Sequence, residues 1–144
     1  MNRYQSESTV SIRVLLADDS EIVRQAITSV LMGDPEIQLV GEAVTFAQAI
    51  KLTHELQPRV ILIDLHMRDR DGVTPLHVKA SLAGSRLLAM SFQNDDEAKA
   101  LADSFGAVAF LDKMSLSAEL IPAIKLYAAD NGSSGQSDRL LPQG

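Results

Sequence analysis

The chain has 144 residues, of which 46% are hydrophobic and 22% charged, and these values are typical of one globular domain. It carries 13 Lys and Arg against 19 Asp and Glu, for a net charge of −6, and has no basic run that would indicate direct binding to nucleic acid or to an anionic membrane surface. It has no cysteine, no signal-peptide core and no apolar run near the ~20 residues of a membrane helix, so we expect a soluble cytoplasmic protein that makes no membrane contact.

Five short runs rich in Val, Ile and Leu predict β-strands. Their apolar residues are continuous rather than alternating, which is typical of parallel strands covered on both faces. The five runs cover residues 12–17, 37–40, 60–63, 87–90 and 108–111.

Segments with helical spacing separate these strands. Apolar residues on one face predict a first helix over about 22–31, and Gly33 stands where that helix would stop. Thr45 predicts the N-cap of a second helix, as part of a capping box. Thr74 followed by Pro75 predicts the N-cap and first turn of a third.

The last two helices are predicted from similar signals. Either Asn94 or Asp95 can cap the fourth helix, and Gly106 ends it. The fifth covers about 117–130 and contains Pro122, which removes one backbone hydrogen bond, so we expect a bent first turn or a later start.

Five alternations of strand and helix predict a single, doubly wound α/β domain with a five-stranded parallel sheet and five helices. We expect this domain to cover residues 11–130. Residues 1–10 are expected to form a flexible N-terminus. Residues 131–144 are rich in Gly, Ser, Asn and Gln, so we expect a flexible linker or tail there.

Polar residues follow four of the predicted strands. Asp18 and Asp19 come after the first strand, Asp64 after the third, Ser91 after the fourth and Lys113 close behind the fifth. Because ligands bind beyond the carboxyl ends of parallel strands, we expect these side chains to converge. Clustered carboxylates favour a hard cation such as Mg²⁺, and a hydroxyl and an ammonium beside them suit phosphoryl transfer to an aspartate nucleophile.

Four motifs resemble those of the receiver domains of bacterial two-component response regulators: "RVLLADDS", "ILIDLHMRDRDG", "LLAMSFQNDDE" and "GAVAFLDK". Within that family, "VGEA" and "ALADSFGAVAFLDK" are most similar to the receivers that usually precede a helix-turn-helix output domain. The resemblance implies a flavodoxin-like sheet with strand order 2-1-3-4-5. It also implies a signalling phosphoacceptor in a phosphorelay, catalysing only its own phosphoryl transfer and dephosphorylation, rather than an enzyme.

The resemblance also implies roles for the acidic residues. Asp64 would accept a phosphoryl group from a phosphohistidine on a sensor histidine kinase or phosphotransfer protein. Mg²⁺ would be bound by Asp19 directly, by Asp18 mostly through water, by Asp64 and by the backbone carbonyl of His66.

Three further residues would complete the machinery. Lys113 would contact the acyl phosphate, while Ser91 and Phe110 would move together as the switch that changes the surface presented to an output domain or partner protein. The sequence does not determine whether the chain forms a homodimer. It also leaves open whether the chain is a stand-alone receiver or a receiver separated from its effector by a cut in the linker.

Some positions depart from the family pattern. Arg68 and Met114 stand where prolines are common, and Phe92 stands where a small residue often leaves the phosphorylation pocket open. The Phe92 ring would either pack under the fourth helix or overhang the pocket mouth. We favour the overhang, in which Phe92 slows the entry of phosphodonors.

Three alternatives remain at this stage. Asp18 and Asp19 could simply favour the dipole of the following helix. A pseudo-receiver would keep the fold and signal without phosphorylation. A more remote alternative is a Mg²⁺-dependent phosphatase of the haloacid-dehalogenase type, although in that family the nucleophile comes first in the chain, whereas here the acid pair precedes Asp64.

Overall fold

The computed structural model describes residues 11–129, in which five β-strands alternate with five α-helices. The predicted flexible segments, 1–10 and 131–144, lie outside the described residues. The strands are β1 (Ile12–Ala17), β2 (Ile37–Ala43), β3 (Val60–Asp64), β4 (Arg86–Ser91) and β5 (Ala109–Asp112). The helices are α1 (Glu21–Met32), α2 (Phe46–Leu56), α3 (Pro75–Ser81), α4 (Asp96–Ser104) and α5 (Leu116–Ala129).

All neighbouring strands pair in parallel, and the sheet order is β2-β1-β3-β4-β5. This confirms the predicted flavodoxin-like, doubly wound α/β fold. All five residues of β3 are buried because the strand is central and covered on both faces. None of the described helices is long and apolar enough to cross a membrane.

Successive side chains of each strand pack alternately into two apolar layers, one on each face of the sheet. In β1, Leu15 belongs to the layer that contains Phe46 of α2, and Leu16 belongs to the layer that contains Ile27 of α1 and Leu120 of α5. Because side chains alternate between the two faces, burial of the apolar ones fixes the register of each strand in the sheet. The register in turn sets the position of the residue at the carboxyl end of the strand.

Side-chain caps start the helices where the sequence predicts them. The hydroxyls of Thr45 and Thr74 accept the backbone N–H groups of Gln48 and His77. At α4 the cap is Asp95, whose carboxylate accepts the N–H of Ala98 at 2.9 Å. The alternative cap, Asn94, instead donates its amide to the Asp112 carboxylate at 3.3 Å.

Four strands and one helix differ from the prediction, and of these β3 ends one residue later and β4 extends one residue further at each end. The prediction for β2 is three residues too short, and the one for β5 begins and ends one residue too early. The longer β2 includes Gly41, where a Cβ atom would lie 2.9 Å from Leu56 Cδ1 at the end of α2, so a larger residue there would require the Leu56 side chain to shift. Helix α5 begins at Leu116, so Pro122 does not delay its start.

The loop after β3 is tied to two helices that the sequence did not connect to it. The Asp69 carboxylate accepts the N–H groups of Phe46, at 2.8 Å, and Ala47, at 3.1 Å, which are the first two residues of α2. The next residue, Arg70, places its guanidinium 5.3 Å from the centre of the Phe105 ring after α4. The rings of Phe105 and Phe46 pack edge to face with their centres 5.4 Å apart, so the two residues that the loop contacts also contact each other.

Replacement of Asp69 should therefore destabilise the fold, because it leaves two N–H groups at the start of α2 without their acceptor. We expect Asp69→Ala to lower the free energy of unfolding by about 1 to 2 kcal/mol, measured by urea denaturation. Asp71→Ala is the matched control, since Asp71 is an exposed acid in the same loop and its loss should cost less than about 0.5 kcal/mol. Equal losses of unfolding free energy in both variants would show that the effect comes from removing a negative charge rather than from losing the hydrogen bonds of Asp69 to α2.

Candidate functional site

Four strands deliver polar side chains to one edge of the sheet. Asp18 directly follows β1, Asp64 and Ser91 are the last residues of β3 and β4, and Lys113 directly follows β5. Asp18, Asp64 and Ser91 are 0%, 4% and 0% exposed, respectively. Buried polar groups at strand ends are costly unless they are partnered, so their partners define the site.

The central contact is an ammonium shared by two buried carboxylates. Lys113 Nζ lies 2.6 Å from Asp18 Oδ2 and 3.2 Å from Asp64 Oδ1, and the lysine side chain is only 5% exposed. The lysine charge therefore offsets the repulsion between the two carboxylates. Because both carboxylates are buried, solvent water screens this repulsion only weakly.

Backbone groups fix the orientation of both carboxylates. Asp18 Oδ1 accepts the N–H of Ser20 at 2.9 Å, and Asp64 Oδ1 accepts the N–H of His66 at 3.2 Å. The Lys113 ammonium and the His66 N–H thus both lie against the same oxygen of Asp64. The other oxygen, Oδ2, makes no hydrogen bond to a described residue.

Burial raises the pKa of the Asp64 carboxyl above its ordinary value of 3.8. The neighbouring charge of Asp18 raises this pKa further, whereas Lys113 and the His66 N–H act in the opposite direction. The net rise means that one ammonium does not fully compensate the desolvation of this carboxylate. Additional positive charge at the site would favour its ionised form.

Three acids converge closely enough to hold a metal ion. Asp18, Asp19 and Asp64 can each offer one carboxylate oxygen such that the three atoms lie within 4.8 Å of one another. Carboxylate oxygens suit hard cations such as Mg²⁺ and Ca²⁺. The site brings together all the predicted acidic ligands, whereas the side chain of His66 is exposed and lies outside this group.

The two predicted switch residues lie on the β4–β5 side of the site. Ser91 Oγ accepts the N–H of Gln93 at 2.9 Å, so the hydroxyl hydrogen can still be donated elsewhere. Phe110 is half-buried on β5, opposite Ala89 of β4, and packs against the apolar layer under α2, α3 and α4.

Phe92 overhangs the site. Its side chain is 57% exposed, so it does not pack in the core under α4, and its ring centre lies 5.1 Å from Lys113 Nζ. This exposure agrees with the predicted overhang, whereas the contact of Phe92 with Lys113 is not predictable from the sequence alone. Strand alternation predicts that Phe92 points away from the direction of Ser91, but only the pairing of β4 with β5 brings Phe92 and Lys113 together.

Comparisons with known proteins identify the same kind of domain. The family model for the response regulator receiver domain matches residues 14–125. The transcriptional regulatory protein LiaR of Bacillus subtilis is 37% identical over 123 residues, which cover 84% of this chain and 57% of LiaR. A protein-glutamate methylesterase/protein-glutamine glutaminase of Photobacterium profundum is 32% identical over 106 residues, covering 72% of this chain and 27% of that protein.

A solved structure agrees in fold and in extent. The signal receiver domain of NarL from Mycobacterium tuberculosis superimposes with a TM-score of 0.73 at 28% identity, covering 82% of this chain and 96% of that one. The chain thus spans little more than half of LiaR and nearly all of an isolated receiver domain. It belongs to the family of response regulator receiver domains of two-component systems.

Proposed function

We propose that this protein is a phosphoacceptor signalling domain and that Asp64 takes a phosphoryl group from a phosphohistidine on a sensor histidine kinase or phosphotransfer protein. The observation that carries the proposal is the geometry of Asp64. Its carboxylate lies at the end of the central strand, 3.2 Å from the Lys113 ammonium and within 4.8 Å of two further carboxylate ligands. Positioning and charge stabilisation of this kind are what phosphoryl transfer requires of a protein.

Oxygen Oδ2 of Asp64 is the proposed nucleophile, because Oδ1 is held by Lys113 and by the His66 N–H. A bond forms from Oδ2 to phosphorus while the bond from phosphorus to the donor's histidine nitrogen breaks. Lys113 lies beside the reacting carboxylate and donates to a phosphoryl oxygen as charge moves onto the group. Ser91 donates its free hydroxyl hydrogen to a second phosphoryl oxygen.

The acidic cluster fits Mg²⁺, since it supplies only oxygen ligands from Asp18, Asp19 and Asp64. The backbone carbonyl of His66 is proposed as a further ligand. When bound, Mg²⁺ would neutralise charge between the carboxylates and the phosphoryl oxygens. Lys113, already within 2.6 Å of Asp18, would keep that carboxylate oriented.

The consequence of phosphorylation is a change of surface that controls an output domain or partner protein. Relatives that share this domain differ in their outputs, since one is named as a transcriptional regulatory protein and another as a methylesterase and glutaminase. We therefore propose that the shared domain, residues 11–130 here, is the regulated switch, catalysing only its own phosphoryl transfer and dephosphorylation.

The first test is covalent modification. Wild type incubated with acetyl phosphate and Mg²⁺ should gain the mass of one phosphoryl group, and Asp64→Asn should gain none, because the amide is not a nucleophile for phosphorus. Asp71→Asn, a matched change in the following loop, should be modified like wild type. Modification of Asp64→Asn to full stoichiometry would contradict the assignment, and an unmodified wild type would favour a pseudo-receiver.

The stability of Asp64→Asn provides the control for folding. Because the pKa of Asp64 is raised in the folded protein, its ionised form costs stability at neutral pH, and this cost disappears as the pH falls below the ordinary value of 3.8. Without Mg²⁺, Asp64→Asn should therefore melt at or above the temperature of wild type at neutral pH. This advantage should shrink on acidification.

Metal binding predicts a stabilisation that depends on Asp19. A ligand that binds only the folded state at 100 times its Kd stabilises by about 2.7 kcal/mol. We expect Mg²⁺ to raise the melting temperature of wild type, and Asp19→Ala to lose most of that rise. Glu21→Ala, which removes an exposed acid two residues away, should keep it. A similar loss in both variants would indicate general screening rather than coordination.

The switch is testable by hydrogen exchange. A phosphoryl group carries about −1.5 to −2 charges at neutral pH and needs new donors, of which the Ser91 hydroxyl is one that can rotate. Beryllofluoride, a phosphoryl analogue, should change exchange in the surface formed by α4, β5 and α5 in wild type, and Ser91→Ala should reduce that change. Identical exchange with and without the analogue would contradict a switch through Ser91 and Phe110.

A further inference from the structure

The ammonium of Lys113 is enclosed on three sides by groups of different kinds. Asp18 Oδ2 and Asp64 Oδ1 lie on two sides, and the ring of Phe92 lies over a third at 5.1 Å. The negative face of an aromatic ring attracts a cation within about 6 Å of its centre. Lys113 is therefore held by two carboxylates and one π face, and its side chain is almost fully buried although Phe92 is exposed.

The sheet register creates this contact. Parallel pairing of β4 with β5 sets Ser91 opposite Asp112, so the next residues on each strand, Phe92 and Lys113, come side by side just beyond the sheet. Ser91 points into the buried site and Phe92 points outward, as strand alternation requires. The ring thus reaches the ammonium from the solvent side.

We propose that Phe92 is a positioning residue for Lys113. Its π face holds the ammonium against Asp18 and Asp64, so that Lys113 is in place when a phosphoryl group arrives at Asp64. This inference rests on the proposed function for its kinetic consequence, whereas the contact itself exists in the resting protein.

If Phe92 positions Lys113, the aromatic character of residue 92 affects the ammonium independently of the size of the side chain. A ring that only narrows the pocket mouth could be replaced by leucine with little effect on Lys113. A ring that holds the ammonium cannot be replaced by leucine without loss, because leucine covers a similar area but has no negative π face. Tyrosine keeps the face and should substitute for phenylalanine.

The first measurement is on the resting protein without phosphodonor or Mg²⁺. Solvent exchange of the Lys113 ammonium hydrogens is followed by ¹H–¹⁵N NMR, with the signal assigned by its loss in Lys113→Arg, which removes the ammonium but keeps the positive charge beside Asp18 and Asp64. We expect Phe92→Leu to exchange about two- to fivefold faster than wild type, the change that corresponds to loss of an exposed cation–π contact. Phe92→Tyr should exchange like wild type.

The second measurement is the rate of phosphorylation by acetyl phosphate with Mg²⁺. Phe92→Leu should react about two- to fivefold more slowly than wild type, because Lys113 is less well placed, and Phe92→Tyr should restore the rate. Met114→Ala is the matched control, since Met114 is an exposed apolar residue that, like Phe92, lines a surface groove beside α1. Its rate should equal that of wild type. Melting temperatures should be similar throughout, because both side chains are exposed.

Each outcome decides the proposal. Unchanged ammonium exchange in Phe92→Leu would overturn it, and so would a leucine variant that is phosphorylated as fast as wild type or faster, which is the result expected of a steric gate alone. If wild type accepts no phosphate, the proposed function fails, and the exchange measurement by itself decides whether Phe92 positions Lys113.

Discussion

The structure depends on the buried contact in which Lys113 is shared between Asp18 and Asp64. Without the ammonium, two desolvated carboxylates would face each other at the ends of adjacent strands β1 and β3, and the site would be strongly destabilised. The lysine reaches them from the far edge of the sheet, across β4, because β5 ends at Asp112. One positive charge therefore links residues at the ends of three strands, β1, β3 and β5.

Much of this arrangement can be predicted from the sequence. Continuous apolar strands that alternate with helices predict a parallel sheet, and such a sheet brings the residues after its strands to one edge. Asp18, Asp64, Ser91 and Lys113 could thus be placed together without coordinates. Local caps such as Thr45 and Thr74 were also predictable, because a cap depends on residues only three positions apart.

The features that sequence reasoning missed depend on contacts between distant residues. The Asp69 carboxylate is 23 residues from the N–H of Phe46 that it caps, and nothing in its local sequence indicates that partner. The choice of Asp95 over Asn94 follows from a contact of Asn94 with Asp112, 18 residues away. The length of β2 depends on its pairing with β1, which continues to Ala43 opposite Ala17 and is likewise a property of the folded protein.

The distribution of these contacts gives the site a fixed side and a movable side. On the β3 side, Asp69 and Arg70 attach the loop after Asp64 to α2 and to Phe105, so this loop has little freedom to move. On the β4–β5 side, Ser91 has a hydroxyl that can rotate, and the Lys113 ammonium contacts two carboxylates and the exposed ring of Phe92. If Asp64 gains a phosphoryl group as proposed, its new charge must be met by groups that can move. Under this proposal the response would spread towards α4, β5 and α5, while the loop after β3 would stay in place through its contacts with α2 and Phe105.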